Sequence, residues 1–209
     1  METIDIKGDD LTIMPLGAGN EVGRSCIRLQ FKGKTVLFDC GIHPAKNGQL
    51  ALPWFDTIDL EEIDLLLLTH FHLDHCGALP YLMTKTFFNG TTYMTYPTKA
   101  ITKLLLSDYV KVANMGNEAA KIYSPHELGR AMDKVKLVDY HQELEHNGIK
   151  FIGFNAGHVL GAAMFLVEIA GVRILYTGDY SREEDRHLHP AEVPNFPVDV
   201  LIIESTYGV

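Results

Sequence analysis

The chain has 209 residues, 46% hydrophobic and 22% charged, which suits one well-packed globular domain, or one and a fraction. No apolar run reaches membrane-spanning length, and the opening METIDIKGDD is too acidic for a secretory signal. A formal charge of −9 argues against broad autonomous nucleic-acid binding, which shows as a basic patch, although some of these acids would face metal cations.

Residues 1–10 are polar and acidic and read as a loose arm. Leu11 to Leu16 reads as a strand running into the glycine cluster Gly17 to Gly23. That cluster allows a tight turn and close backbone approach. It is not a dinucleotide fingerprint, because Cys26 to Phe31 reads as another strand rather than a helix. The Lys32-Gly33-Lys34 turn and Thr35 to Phe38 complete a hairpin that Asp39 ends. Cys26, Cys40 and Cys76 form no pair at zinc-knuckle or redox spacing and read as small buried residues of a reducing compartment. His43, before Pro44, reads as structural.

Ile63 to Leu68 is a nearly unbroken apolar run, the pattern of a strand buried on both faces. It delivers His70, His72, Asp74 and His75, four potential metal ligands within six residues, into the following loop. His70 and His72 lie two apart, so an extended backbone points both the same way, able to grip one ion. Asp74 and His75 follow the start of a turn and point elsewhere, toward a second ion. Imidazole nitrogen with carboxylate oxygen suits borderline metals, zinc ahead of iron or manganese. The bland alternative is a histidine-rich surface loop; placement directly behind a buried strand argues against it.

Tyr93 to Tyr96 reads as a short strand, and Pro97 opens a helix whose buried face is Ile101, Leu104, Leu105, Tyr109 and Val112. A second helix starts at Ser124, with Pro125 at its first position and Glu127 closing a capping box. Leu128, Met132 and Val135 supply its buried stripe. His126, His141 and His146 lie in charged surroundings, on helices or turns, and read as solvated. Lys150 to Asn155 reads as a strand ending near His158, which on its own is equally a core residue or a ligand. Met164 to Ile169 and Val172 to Thr177 form a hairpin that presents Gly178-Asp179. Arg182 to His189 is a charged loop, and Asp199 to Ile203 reads as a last buried strand before Glu204.

The string His70-Phe71-His72-Leu73-Asp74-His75 matches the HxHxDH signature of the metallo-β-lactamase superfamily. PLGAGNEVGRSC, FDCGIHP, HFHLDHCGALP, AGHVLGAAMF, YTGDYSREEDRHL and LIIESTYG surround it in the order found in the β-CASP nucleases of that superfamily. From about Leu11 to its last residue the chain resembles the members of that group that cut pre-mRNA before polyadenylation. The tracts SREEDRHLHPAEVP and IDLEEIDLLLLTH resemble these more than the Integrator nuclease.

The resemblance implies an α/β fold, a four-layer αββα sandwich incomplete at its C-terminal end. Residues 11–209 would be the amino-terminal part of the catalytic domain, without the β-CASP insertion and the strands that return from it. It also implies two zinc ions. His70, His72 and His158 would hold the first, Asp74 and His75 the second, with Asp179 bridging and Asp39 steadying the ligands from behind. That set leaves His187 and His189 outside the site. Asp74 and Glu204 would be catalytic, Glu204 as partner of a histidine beyond Val209 that protonates the leaving oxygen. The first metal would bind tightly and the second weakly in this chain alone, and the chain alone would be inactive. The implied activity is two-metal hydrolysis of an RNA phosphodiester in the nucleus. The substrate would be pre-mRNA and the partners other subunits of a cleavage and polyadenylation complex, with no membrane. The alternatives are an Integrator-type endonuclease, a small-ester or thioester hydrolase of the same fold, and a non-catalytic scaffold subunit.

Overall fold

The computed structural model describes residues 1–115 and 121–208. Its strands form two sheets. The first has seven strands in chain order: β1 (Glu2–Ile6), β2 (Asp9–Gly17), β3 (Cys26–Phe31), β4 (Lys34–Phe38), β5 (Leu65–Leu67), β6 (Thr91–Met94) and β7 (Lys136–Leu137). The second has five: β8 (Glu143–His146), β9 (Ile149–Asn155), β10 (Ala163–Ile169), β11 (Val172–Tyr176) and β12 (Val200–Ile202), the last parallel to β11 at an edge. Strands β4 to β7 are parallel, so long connections join them. Between β5 and β6 these carry α1 (Leu73–Cys76) and α2 (Leu79–Lys85), and between β6 and β7 α3 (Tyr96–Met115) and α4 (Pro125–Lys134).

Strand β5 shows why its sequence is apolar throughout. Leu65 and Leu67 face the other sheet, in a core with Phe38, Phe151 and Phe165. Leu66 and Leu68 face the helices, in a core with Leu79, Leu82, Leu106 and Met132. With both faces covered, no position on β5 tolerates a polar side chain. The outer face of the second sheet packs Phe154, Met164 and Leu175 against Tyr180, Phe196 and Val198. The described residues thus supply three layers of the expected sandwich and a covering segment, 181–199, over the fourth face. Among them no helix is long and apolar enough to cross a membrane.

Five expectations need correction. The acidic arm is in part a strand: β1 pairs with β2 from Glu2↔Ile13 to Ile6↔Asp9, and Ile4 and Ile6 pack onto the inter-sheet core. Lys7 and Gly8 (φ 55 and 91) make the turn, and the Gly8 amide donates to Asp5. On α3, Leu104 and Val112 are 70% and 62% exposed, while Thr98, Thr102, Leu106 and Val110 are buried. The true inward stripe begins with threonines: Thr98, with Thr95 just before the helix, donates to the Gly161 carbonyl, and Thr102 is fully buried. Strand β6 ends at Met94, so Tyr96 already belongs to α3. The strand before Glu204 is an edge, with Val200 buried and Leu201 and Ile203 half exposed. His146 lies on β8, whereas a helix or turn was expected. The capping box on α4 forms as expected, Ser124 Oγ accepting from the Glu127 amide and Glu127 accepting from the Ser124 amide.

Candidate metal centre

Strands β4, β5, β9, β11 and β12 deliver their following residues to one edge of the sandwich. After β5 the chain stays extended to His72 (φ −61, ψ 145), and α1 begins at Leu73. This single turn is clamped by backbone bonds from two segments: after β4 the Cys40 amide donates to His75 and Ile42 to Leu73, and just before β3 the Ser25 amide donates to Asp74. The contact is close enough to demand glycine at 41, where a Cβ would lie 1.6 Å from the Asp74 carbonyl oxygen. At Gly178 (φ 54) a Cβ would meet Thr69 at 2.7 Å, so the β11 end can approach the histidine loop only as glycine.

The side chains converge in two groups. His70 Nε2 lies 3.0 Å from His72 Nδ1, and His158 Nε2 lies 3.2 Å from the same atom. Asp179 Oδ2 stands 3.8 Å from His70 Nε2 and 3.6 Å from His158 Nε2. These four residues each offer an atom, all within 4.8 Å of one another. Three imidazole nitrogens and a carboxylate oxygen fit a four-coordinate borderline cation. The other Asp179 oxygen, Oδ1, lies 3.4 Å from His75 Nε2, and Asp74 Oδ2 lies 3.8 Å from that nitrogen. One carboxylate therefore faces both groups.

The electrostatics agree with a cation site. Burial and the neighbouring imidazoles hold His70 far below the ordinary histidine range. Burial, with His158 and His75 respectively, also lowers His72 and His158. Neutral imidazoles keep the lone pairs that a metal needs. Burial opposes charge on His75, but Asp39, Asp179 and Asp74 override it and raise His75 to about 9. The carboxylates of Asp74 and Asp179, both near His75 Nε2, also attract a cation placed there, which must displace the proton they favour. Burial raises Asp179, helped by Glu204, Asp39 and Asp74 against the pull of His75.

Asp39 is fully buried behind the site. Its Oδ1 accepts from the Thr69 amide at 2.7 Å, and its Oδ2 from His75 Nδ1 at 2.8 Å and from the Tyr176 hydroxyl at 2.9 Å. Thr69 Oγ1 lies 2.9 Å from both oxygens and 3.0 Å from His70 Nδ1. If the threonine donates to the carboxylate, it accepts from His70. Both imidazoles then carry their proton on Nδ1 and offer Nε2 to the cleft. The sequence pointed to Asp39 only through the family resemblance, and Thr69 and Tyr176 were missed. A signal existed: a tyrosine on the inward register of a buried strand must find its hydroxyl a partner.

Glu204 lies beside the cluster, its carboxylate accepting from the Tyr180 and Thr206 amides at 3.3 and 3.2 Å. Asp74, His75, Asp179 and Glu204 line a cleft of about 520 Å³, whose facing wall is the Ala18–Gly23 loop. A larger groove of about 1140 Å³ around Trp54 and Phe87 holds none of these residues, so the chemistry assigns the smaller cleft. His187 and His189 are exposed, outside the cluster. His126 is exposed; His141, also exposed, bonds Glu192 at 2.9 Å, and His43 accepts from the Ala45 amide. The three cysteines are buried and unpaired, and burial raises their thiols.

The chain is 60% identical over 208 residues to cleavage and polyadenylation specificity factor subunit 3-I of Arabidopsis thaliana, covering 100% of this chain and 30% of that protein. It is 60% identical over 200 residues to endoribonuclease ysh1 of Schizosaccharomyces pombe, covering 96% and 26%. It therefore spans less than a third of the length of these curated relatives. Among solved structures, Rm3 metallo-beta-lactamase superposes with a TM-score of 0.56 at 15% identity, over 91% of this chain and 74% of that one. The metallo-beta-lactamase fold protein YhfI of Bacillus subtilis gives 0.52 at 16% identity, over 82% and 64%. Residues 28–202 match the family described as the metallo-beta-lactamase superfamily domain, and the chain belongs to that superfamily.

Proposed function

We propose that this chain is the metal-binding core of an RNA endonuclease that cuts pre-mRNA before polyadenylation by hydrolysing a phosphodiester. The observation that carries the reading is 60% identity along the whole chain to the Arabidopsis processing-factor subunit. The endoribonuclease name of the fission-yeast relative supports the reaction type. The same names support nuclear action alongside other subunits of a processing complex as part of this reading. With a charge of −9, the chain depends on such partners or further segments for much of its grip on phosphates.

His70, His72 and His158 would hold one zinc ion, Asp74 and His75 a second, and Asp179 would give one oxygen to each. When bound, the two ions supply Lewis acidity and positive charge against the phosphate oxygens. Asp39 and Thr69 fix the tautomers of His75 and His70. Asp74, at the cleft wall, serves catalysis as well as the second metal. Glu204, held by two amides beside His158, would orient a proton donor toward the leaving oxygen.

The test is Glu204→Gln in the full-length protein. It should retain its metal yet cleave a model pre-mRNA more slowly, by roughly 10²–10⁴ for a lost contribution to general acid catalysis. Cleavage at the parent rate would leave Glu204 a structural role. A parent protein that turns over a thioester and not RNA would be a small-ester hydrolase of the same fold, and one that turns over neither would be a scaffold.

A further inference from the structure

We propose that Tyr176 is a positioning residue for the second metal position, acting through Asp39 to fix the imidazole of His75. The inference rests on the two-metal reading above and names a residue that the reading does not need. Tyr176 ends β11 in one sheet and Asp39 follows β4 in the other, so their hydrogen bond crosses the inter-sheet core directly beneath the cleft. The two rings on either side of that bond, Phe38 and Tyr176, stack at 4.6 Å. Burial, and the charge of Asp39, push the Tyr176 phenol well above the ordinary tyrosine range, so it stays a donor.

The two carboxylate oxygens share the Thr69 hydroxyl and differ in their other donors. Oδ1 is held by the Thr69 amide and hydroxyl, on the side that leads to His70. Oδ2 takes His75 and Tyr176, with the Thr69 hydroxyl also in reach. Asp39 sits at φ 60 with its amide bonded to the Leu67 carbonyl and its side chain fully buried, so the carboxylate has little freedom to seek another donor. Removing the Tyr176 hydroxyl therefore loosens the oxygen that orients His75 and leaves the Thr69 side in place. The His75 position should weaken and the His70 position should not.

Tyr176→Phe keeps the ring and its stack on Phe38. Zinc titration of the metal-free protein by calorimetry should show the weaker constant loosened about tenfold, the low end of the range for residues behind a metal ligand, with the tighter constant unchanged. Cobalt loaded in place of zinc should show an altered absorption band for the second ion alone. Asp39→Asn is the comparison: it removes an acceptor that serves both imidazoles and should weaken both positions. Two constants unchanged in Tyr176→Phe, or both weakened alike with a lower melting temperature of the metal-free protein, would reduce Tyr176 to a packing role. A wild-type protein that takes a single metal overturns the two-metal reading itself, and this inference with it. That failure is seen before any variant is made.

Discussion

Asp179 turns two clusters into one centre, because its two oxygens face different imidazoles. Two divalent cations a few ångströms apart repel strongly unless an anion lies between them. Asp179→Asn keeps the shape and removes the charge, so in the full-length protein it should lose metal that His187→Ala retains. Elemental analysis of the two purified variants checks this, and equal metal content would take Asp179 out of the site. The contrast follows from placement: Asp179 is held at the end of β11 by Gly178, and His187 is exposed in the segment covering the second sheet. The residues legible in the sequence were those whose chemistry is local, His70, His72, Asp74 and His75 within one loop. His158 and Asp179 came only through the family resemblance, since nothing in their own neighbourhoods sets a ligand apart from a core residue. Thr69 was not legible, because a hydroxyl that serves a buried carboxylate leaves no spacing pattern, and for Tyr176 the inward register marks a buried hydroxyl without naming its partner.

Among the elements, β5 was legible because burial on both faces forces one residue class along the strand. Helix α3 was misread for the opposite reason. Its inward stripe, Thr98, Thr102, Leu106 and Val110, starts with two hydroxyl residues, Thr98 bonding the Gly161 carbonyl, while Leu104 sits outside. An apolar count at helical spacing cannot see a threonine whose partner, Gly161, lies in the turn before β10. The exposure difference sets a test of this register. Leu106→Ala removes a fully buried side chain and should cost about 2–5 kcal/mol, whereas Leu104→Gln, 70% exposed, should stay within about 0.5 kcal/mol. Denaturant unfolding of the two variants measures both, and the reverse order would put Leu104 inside. Strand β1 was hidden by composition, since four of residues 1–10 are acidic. Only the alternation at Ile4 and Ile6 marks it.

At the scale of the whole molecule, the site exists only while the two sheets are packed together. His70 and His72 come from the first sheet, and His158 and Asp179 from the second, 86 and more residues away from the loop. A metal held by all four closes the sandwich at its open edge and stabilises the folded state by mass action, about 2.7 kcal/mol at a hundredfold excess over its dissociation constant. The two positions are unequal in what the described residues offer them. The first has His70, His72, His158 and Asp179 within 4.8 Å of one another. The second has Asp74, His75 and the other oxygen of Asp179. Zinc added to the metal-free chain should therefore fill one tight site and one clearly weaker one by calorimetry, and the first equivalent should give most of the rise in melting temperature. His158→Ala, which removes the second sheet's imidazole, should abolish that rise and leave the weaker site in place. Two equally tight sites, or a full rise in the variant, would mean that the sheets are not joined through the metal in the way the four converging side chains suggest.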